Sequence, residues 1–436
     1  MNLTGKHVAI LGAGRSGRAA AALALREGAT VSAWDTAGPE AFMGMPEGVM
    51  IHPNATEEQG ARVFSDILVV SPGIDTYGPY VAAFSNKSGE VIGEVELAAR
   101  FYQGKVVGIT GTNGKTTTTE LVERILSHAS LGGTACGNYG IPFAEVVLQT
   151  SPPAVVSLEL SSFQLETIRT LHPVVAVWLN FAPDHMDRYP TVEAYRAAKL
   201  RIFENQTAED VAVVRTGENL PPMAAGVVTF STTDESADWF SNGLTIVHGG
   251  ETLLHMDRDT SLRGLHNAEN TMAAMAACAA LGVSTPVMRE ALHGYAPPPH
   301  RCELIRTLDG VEYLNDSKAT NLHALESALR SQTRPVVLIA GGKEKGLDYS
   351  PVVPLLREKA LAAVTFGQIA RPLADLFSNA VSCQSVSTLS DAVATARSLA
   401  PRGSTILLSP GTSSFDQFTG YEQRGNAFRD LVHQLR

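Results

Sequence analysis

The sequence predicts an α/β protein of three domains in series, and three observations carry that prediction. Short apolar runs rich in β-branched residues alternate with helix-like segments along nearly the whole chain, the pattern expected of parallel sheets. Glycine- and charge-rich segments follow directly after five of those runs, at Gly12–Gly17, Ser71–Gly73, Gly111–Thr116, Gly341–Lys345 and Ser409–Phe415. In open parallel sheets ligands bind at the carboxyl ends of strands, so this layout predicts a ligand site on each domain. With 436 residues, the chain has room for two to four domains of about 100–200 residues each.

The first block, residues 1–92, reads as a Rossmann-like domain. Val8–Leu11, Thr30–Trp34 and Ile67–Val70 are strand-like and alternate with helical stretches such as Arg18–Arg26. Lys6 precedes the first apolar run and no cleavage site follows it, so a first strand fits better than a signal peptide. Gly12-x-Gly14-x-x-Gly17 lies between the first strand and the first helix, and Asp35 ends the second strand. This matches a dinucleotide fingerprint in form. It also fits a plain tight turn, or a site for another diphosphate-bearing ligand. A block too short for a full dinucleotide domain, beside a second nucleotide loop, favours the last reading.

The second block, residues 93–298, reads as a P-loop domain with a mostly parallel sheet. Val106–Thr110, Ala154–Leu160 and Val174–Asn180 are its predicted buried strands, and Pro221–His255 an antiparallel excursion. Gly111-Thr-Asn-Gly-Lys-Thr116 follows the first of these strands and opens an amphipathic helix. Glycines let backbone N–H groups approach phosphates, Lys115 supplies a point charge, and Thr116 can reach Mg²⁺. The strict G-x4-G-K-[ST] spacing fails, because residue 109 is Ile. Glu159 sits at the end of an apolar run, where a carboxylate needs a partner. Asp184, His185, Asp187 and Arg188 cluster after the third strand. His185 alone could as well be a satisfied histidine, since His is a less usual Mg²⁺ ligand, but beside a nucleotide loop and Glu159 it fits a metal site. Lys199 lies on a predicted helix over Val192–Glu204 and reads locally as part of a solvated face.

The Pro297–Pro299 run marks a linker, since it fits neither a helix nor a central strand. The third block, residues 299–436, repeats the alternation with Val336–Ile339, Ala363–Phe366 and Thr405–Leu408 and reads as a second Rossmann-like domain. Asn315–Asn321, Gly341–Lys345 and Leu408–Phe418 supply lysines, hydroxyls and backbone donors suited to a small carboxylate substrate.

Composition narrows the partners. The chain is 44% hydrophobic and 18% charged, a globular balance. Asp and Glu outnumber Lys and Arg by 44 to 34, and a net charge of −10 argues against nucleic acid. Four widely spaced cysteines without a CxxC pair suit a reducing cytoplasm. The longest uncharged stretch, Thr271–Met288, is Ala-rich and interrupted by Gly282 and Pro286, which predicts a buried helix rather than a membrane span.

Taken together the motifs resemble the Mur ligase family, the ATP-dependent amino-acid-adding enzymes of peptidoglycan precursor synthesis. The matching residues are Gly111–Thr116, Glu159, Asp184-His185-Met186-Asp187, Lys199, His266-Asn267-x-x-Asn270, His300-Arg301 and the loops of the third block. They run in colinear order across essentially the whole chain. Ser71-Pro-Gly73, Gly137-Asn-Tyr-Gly140, Asn315–Asn321 and Ser409–Gly425 are similar to the branch that adds D-glutamate. The sequence lacks the Asp-Asn-Pro-Arg motif of the diaminopimelate-adding branch.

The resemblance implies that ATP phosphorylates the L-alanine carboxylate of UDP-N-acetylmuramoyl-L-alanine and that the amine of D-glutamate captures the acyl phosphate. Lys115, Glu159, His185 and Lys199 would be catalytic. ATP would be held by Gly111, Thr112, Asn113, Gly114, Lys115, Thr116, Thr117, Asn270, Arg301 and Asp316. The UDP end would meet Arg15, Ser16, Asp35, Thr36, Gly73 and Asn138. D-glutamate would meet Lys318, Thr320, Lys345, Ser414 and Phe415. Two Mg²⁺ sites would draw on Thr116, Glu159, His185 and Lys199, the lysine as a carbamate. The same resemblance implies a cytoplasmic monomer that engages neither nucleic acid nor membrane. Two positions depart from the family pattern: Ala37 stands where some relatives carry arginine, and Lys343-Glu344 adds charge ahead of Lys345.

Overall fold

The computed structural model describes residues 2–186, 188–262, 264–296 and 299–436. Asp187 and the Pro297–Pro298 part of the expected linker therefore lie outside the described residues. The chain divides into two compact units, Met1–Leu254 with Glu269–His293, and His255–Ala268 with Gly294–Arg436.

The first unit carries two sheets. In one, β1 (His7–Leu11), β2 (Thr30–Trp34), β3 (Met50–His52), β4 (Ser65–Val70) and β5 (Ser88–Gly93) lie in the order β3-β2-β1-β4-β5, all parallel. The strand order reverses between β1 and β4, which opens a crevice beyond their carboxyl ends. The helix Arg15–Arg26 leaves that crevice and buries Ala19, Ala20, Leu23 and Ala24 against the sheet.

The other sheet comprises β6 (Lys105–Thr110), β7 (Gly132–Gly137), β8 (Val155–Glu159), β9 (Val175–Trp178), β10 (Val211–Arg215), β11 (Gly226–Ser231), β12 (Trp239–Ser241), β13 (Thr245–His248) and β14 (Glu251–His255). Their order is β14-β13-β12-β11-β10-β9-β6-β8-β7. Pairing is parallel from β7 through β12 and turns antiparallel between β12 and β13, so the excursion expected around Pro221–His255 is present. β6, β8 and β9 are buried almost throughout, as unbroken apolar strands covered on both faces must be. β6 lies between β8 and β9, so the loops leaving these three strands open side by side.

The short helix Glu94–Ala99 links the two sheets and is held by two buried carboxylates. Glu94 accepts from Ala144 N at 2.6 Å. Glu96 accepts from the backbone N–H groups of Arg169, Thr170 and Leu171 at 2.8–3.1 Å and from Arg100 Nε at 2.8 Å. Residues of both sheets share one apolar core that includes Ile10, Leu23, Leu97, Phe143 and Leu158.

The second unit holds the third sheet, with β15 (Glu303–Leu308), β16 (Val311–Asn315), β17 (Val336–Gly341), β18 (Ala360–Phe366), β19 (Ser382–Ser385) and β20 (Thr405–Leu408) ordered β15-β16-β20-β17-β18-β19. Only the β15–β16 hairpin is antiparallel among the described pairings. Val336, Leu338 and Ala340 of β17 enter one core, and Val337 and Ile339 enter another on the opposite face. Among the described residues no helix is long and apolar enough to cross a membrane; the single helix expected over Thr271–Met288 is instead parts of two, Leu265–Ala280 and Thr285–Leu292, with Gly282 between them and Pro286 in the first turn of the second.

Candidate active site

The P-loop follows β6 as the spacing predicts. Gly114, at φ +86°, precedes the helix Lys115–His128, whose first turn has no side-chain cap and so presents N–H groups to an anion. A Cβ on Gly114 would lie 2.2 Å from Asn270 Oδ1, so the loop needs glycine both for its backbone and for this close approach. Asn270 is thereby placed against the loop. Asn180, two residues beyond the end of β9, pins the loop on its other side: Asn113 N donates to Asn180 Oδ1 at 2.9 Å, and Asn180 Nδ2 donates to Asn113 O at 3.1 Å. Thr112 Oγ1 adds a second staple, donating to Ala182 O at 3.1 Å and accepting from Ala182 N at 3.0 Å.

Two lysines converge on one carbonyl. Lys115 Nζ donates to Gly111 O at 2.8 Å and to Thr112 O at 3.0 Å. Lys199 Nζ donates to the same Gly111 O at 2.9 Å. Lys199 is only 2% exposed, which overturns the solvated-face reading of its local sequence. The helix Val192–Leu200 turns Tyr195 and Lys199, one turn apart, to its buried side, and Lys199 Nζ lies 4.9 Å from the centre of the Tyr195 ring. Burial first, and then the charge of Lys115, hold this amine well below the ordinary lysine range, against the opposing pull of Asp184 and Glu159.

Glu159 ends β8, buried. Its Oε1 accepts from Asn138 Nδ2 at 2.6 Å, while Oε2 is buried without a hydrogen-bond partner. An orphaned buried carboxylate oxygen is costly unless a cation or donor completes it. Glu159, whose charge is felt by Lys199, therefore fits a hard cation such as Mg²⁺. Among the described residues no three His, Cys, Asp or Glu side chains form a metal cluster; the expected set depends instead on a hydroxyl and a modified lysine. His185 adopts φ +58° at the start of a tight turn and packs edge-on against Phe163 at 4.9 Å and Tyr195 at 5.8 Å.

At the crevice of the first sheet, Gly12, Arg15, Ser16, Asp35, Thr36 and Gly73 line one cavity of about 460 Å³. Asp35 shapes its floor, accepting from Ala13 N at 2.8 Å and Ala37 N at 2.9 Å. Arg15 reaches the Gly140 carbonyl at 3.0 Å, near Asn138 in sequence. Ile74 and Tyr80 also line the cavity, and the Tyr80 hydroxyl is buried without a partner. No sequence signal marked Tyr80.

Arg301, Asp316, Lys318, Thr320, Lys345, Ser414 and Phe415 belong to the second unit. Asp316 is buried at the end of β16, accepts from Ser409 Oγ at 2.9 Å and Cys302 N at 3.2 Å, and burial pushes its carboxyl up to about 7. Lys318 Nζ lies 3.9 Å from the centre of the Tyr421 ring. Fully buried Arg424 ties the Asn315–Asn321 and Leu408–Phe418 loops together, donating to Ser317 O at 2.8 Å and Thr412 O at 3.2 Å. Ser414 is buried, Thr320 and Arg301 are half-buried, and Lys345 and Phe415 are exposed. Glu344, a departure from the family pattern, orders its turn by accepting from Lys345 N at 2.8 Å and Gly346 N at 2.6 Å.

A P-loop with a buried carboxylate and a second, buried lysine, on a chain of three α/β sheets, defines a class of nucleotide-dependent group-transfer proteins. Comparison with known proteins makes the class specific. The family model described as "Mur ligase middle domain" matches residues 109–278, and that described as "Mur ligase, glutamate ligase domain" matches residues 300–411. The chain belongs to the Mur ligase family, which is ATP-dependent. It is 41% identical over 451 residues to the UDP-N-acetylmuramoylalanine–D-glutamate ligase of Myxococcus xanthus, covering 99% of each chain. It is 38% identical over 447 residues to the ligase of the same name from Geobacter metallireducens, covering 100% of this chain and 99% of that one. Among solved structures, the UDP-N-acetylmuramate-alanine ligase of Thermotoga maritima has the same fold, with a TM-score of 0.61 and 18% identity, covering 98% of this chain and 99% of that chain.

Proposed function

We propose that the protein is an ATP-dependent ligase that joins the amine of D-glutamate to the L-alanine carboxyl of UDP-N-acetylmuramoyl-L-alanine, a cytoplasmic step of cell-wall precursor synthesis. Full-length relatives carrying that activity in their names support the substrates. The structural observation that carries the chemistry is the convergence of Lys115 and Lys199 on Gly111 O, with Glu159 among the charges felt by Lys199.

The reaction brings a carboxylate against a triphosphate, two mutually repelling anions, so the protein's task is positioning and charge neutralisation. Gly111–Thr117 cradles the phosphates through backbone N–H groups, and Lys115 turns from the loop carbonyls to the transferring phosphate. A carboxylate oxygen of the alanyl group attacks the γ-phosphorus, the bond to the β-phosphate bridging oxygen breaks, and ADP leaves. The amine of D-glutamate then attacks the acyl carbon, inorganic phosphate departs, and the amine releases a proton as the amide forms. Lys199, whose burial favours the neutral amine, combines with CO₂ and releases a proton, becoming an anionic oxygen donor. Thr116, Glu159, His185 and the modified Lys199 would hold Mg²⁺ at two sites, which would screen the phosphate charge. Asn270, Arg301 and Asp316 serve ATP. Arg15, Ser16, Asp35, Thr36, Gly73 and Asn138 serve the UDP end, with Arg15 covering the contact that Ala37 cannot make. Lys318, Thr320, Lys345, Ser414 and Phe415 serve D-glutamate, and the enzyme acts as a monomer built of three domains.

The test is to follow labelled oxygen from the alanyl carboxylate into the released phosphate, with the amide product identified by mass. Transfer of label that depends on ATP and D-glutamate is expected. Product formation without transfer would refute the acyl phosphate, and better use of L-glutamate would refute the amino-acid assignment.

A further inference from the structure

Arg188 occupies a place that none of the site assignments uses. Its guanidinium donates to Pro72 O at 2.9 Å and Ile74 O at 2.8 Å, both in the loop that follows β4 and lines the nucleotide cavity. The same group lies 3.9 Å from the centre of the Phe163 ring and 3.4 Å from the buried carboxylate of Glu166, which belong to the segment after β8. Its side chain is 13% exposed, so these contacts are largely shielded from water.

The backbone of Arg188 is tied to the other end of the site. The N–H groups of Arg188 and Tyr189 both donate to His185 O at 3.0 Å, closing the turn in which His185 holds its positive φ. The Tyr189 hydroxyl donates to Glu166 and its ring stacks on Phe163, so the turn is locked to the residues that receive the guanidinium. One side chain thus joins the cavity loop of the first sheet to the His185 turn beside the P-loop. A guanidinium suits the task because its planar fork can bridge two carbonyls while its face covers an aromatic ring.

We infer that Arg188 is a positioning residue that holds the Ser71–Thr76 loop in register with the His185 turn, and so sets where the alanyl carboxylate of a substrate anchored by its UDP end arrives at the P-loop. This rests on the ligase reading of the site. A bound substrate displaced by about 1 Å at the reacting centre loses on the order of 10²-fold in rate, so the clamp acts on turnover more than on binding of the nucleotide end.

The experiment compares the full-length protein with Arg188→Ala and Arg188→Lys. Turnover, ATP KM, binding of UDP alone and thermal stability are measured, with and without low-millimolar guanidinium ion. Arg188→Lys keeps a cation opposite Glu166 and guards against simple misfolding, yet a point ammonium cannot bridge both carbonyls. The expected result is a fall in kcat of about 10²-fold in both variants, with UDP binding and ATP KM within about threefold of the unaltered protein. Guanidinium should restore at least about a tenth of the lost rate to Arg188→Ala and none to Arg188→Lys. Unchanged kcat in both variants would overturn the inference. So would parallel losses of kcat, UDP binding and thermal stability without rescue, since those mark a merely structural role. If the unaltered protein formed no amide from these substrates, the ligase reading itself would fall, and this inference with it.

Discussion

Replacing Gly114 with alanine tests how the nucleotide loop is built. At φ +86°, an added Cβ costs about 1–2 kcal/mol in backbone strain. The same Cβ would stand 2.2 Å from Asn270 Oδ1 and 3.0 Å from Cγ. Asn270 is 5% exposed and has little space into which to retreat, so overpacking adds about 1–3 kcal/mol. The single change should therefore destabilise the protein by roughly 2–5 kcal/mol and weaken binding of a fluorescent ATP analogue. Urea unfolding of Gly114→Ala, Asn270→Ala and the double variant separates the two causes. In the double variant the collision is gone and the backbone strain remains, so it should be more stable than the summed single changes by about 1–3 kcal/mol. Additive effects, or a Gly114→Ala protein as stable as the unaltered one, would refute the packing of Asn270 against the loop.

Lys199→Ala should lower amide formation by about 10²–10³-fold, with partial recovery when short carboxylic acids supply the missing oxygens; undiminished turnover without additive would show the amine to be dispensable. Glu159→Gln should raise the Mg²⁺ concentration for half-maximal rate by about 10–100-fold, read from rate against added metal, whereas an unchanged requirement would remove Glu159 from the cation set. Glu94 makes stability pH-dependent, because burial raises its carboxyl to about 7 from an ordinary 4.5. The folded state then keeps a proton that the unfolded chain releases, so this contribution is present below pH 4.5 and lost as the pH rises through 7. Its size is about 3 kcal/mol. Melting temperatures of Glu94→Gln should accordingly fall less between pH 5 and 8 than those of the unaltered protein, and parallel profiles would refute the assignment.

What could be read in advance depended on whether the deciding interaction was local. β2 and β20 match their predicted bounds, and β6, β8 and β9 differ by only one or two residues at an end, because buried parallel strands are unbroken apolar runs. β7 escaped notice because glycine fills much of Gly132–Gly137. β15 and β16 were missed because charged residues interrupt them, although Asp309-Gly310, both at positive φ, is a hairpin turn in plain view. In the site, the P-loop announced itself through chemistry confined to six residues. Lys199 did not, since a lysine on a polar-looking helix is ordinarily solvated, and only its i,i+4 relation to Tyr195 hinted at a buried face. Arg188 and Asn180 act across segments far apart in sequence, which periodicity does not reveal.

The helix Glu94–Ala99 carries a consequence for dissecting the molecule. Glu96 alone accepts the N–H groups of three successive residues, Arg169 to Leu171, and Glu94 receives Ala144 N. A polypeptide beginning after this helix would leave four backbone donors of the P-loop region without their acceptors, whereas one beginning at Gly93 would keep every one of them. The first ninety-odd residues are thus separable from the rest only on the amino-terminal side of those two glutamates, and limited proteolysis should spare the joint itself until the whole unit melts.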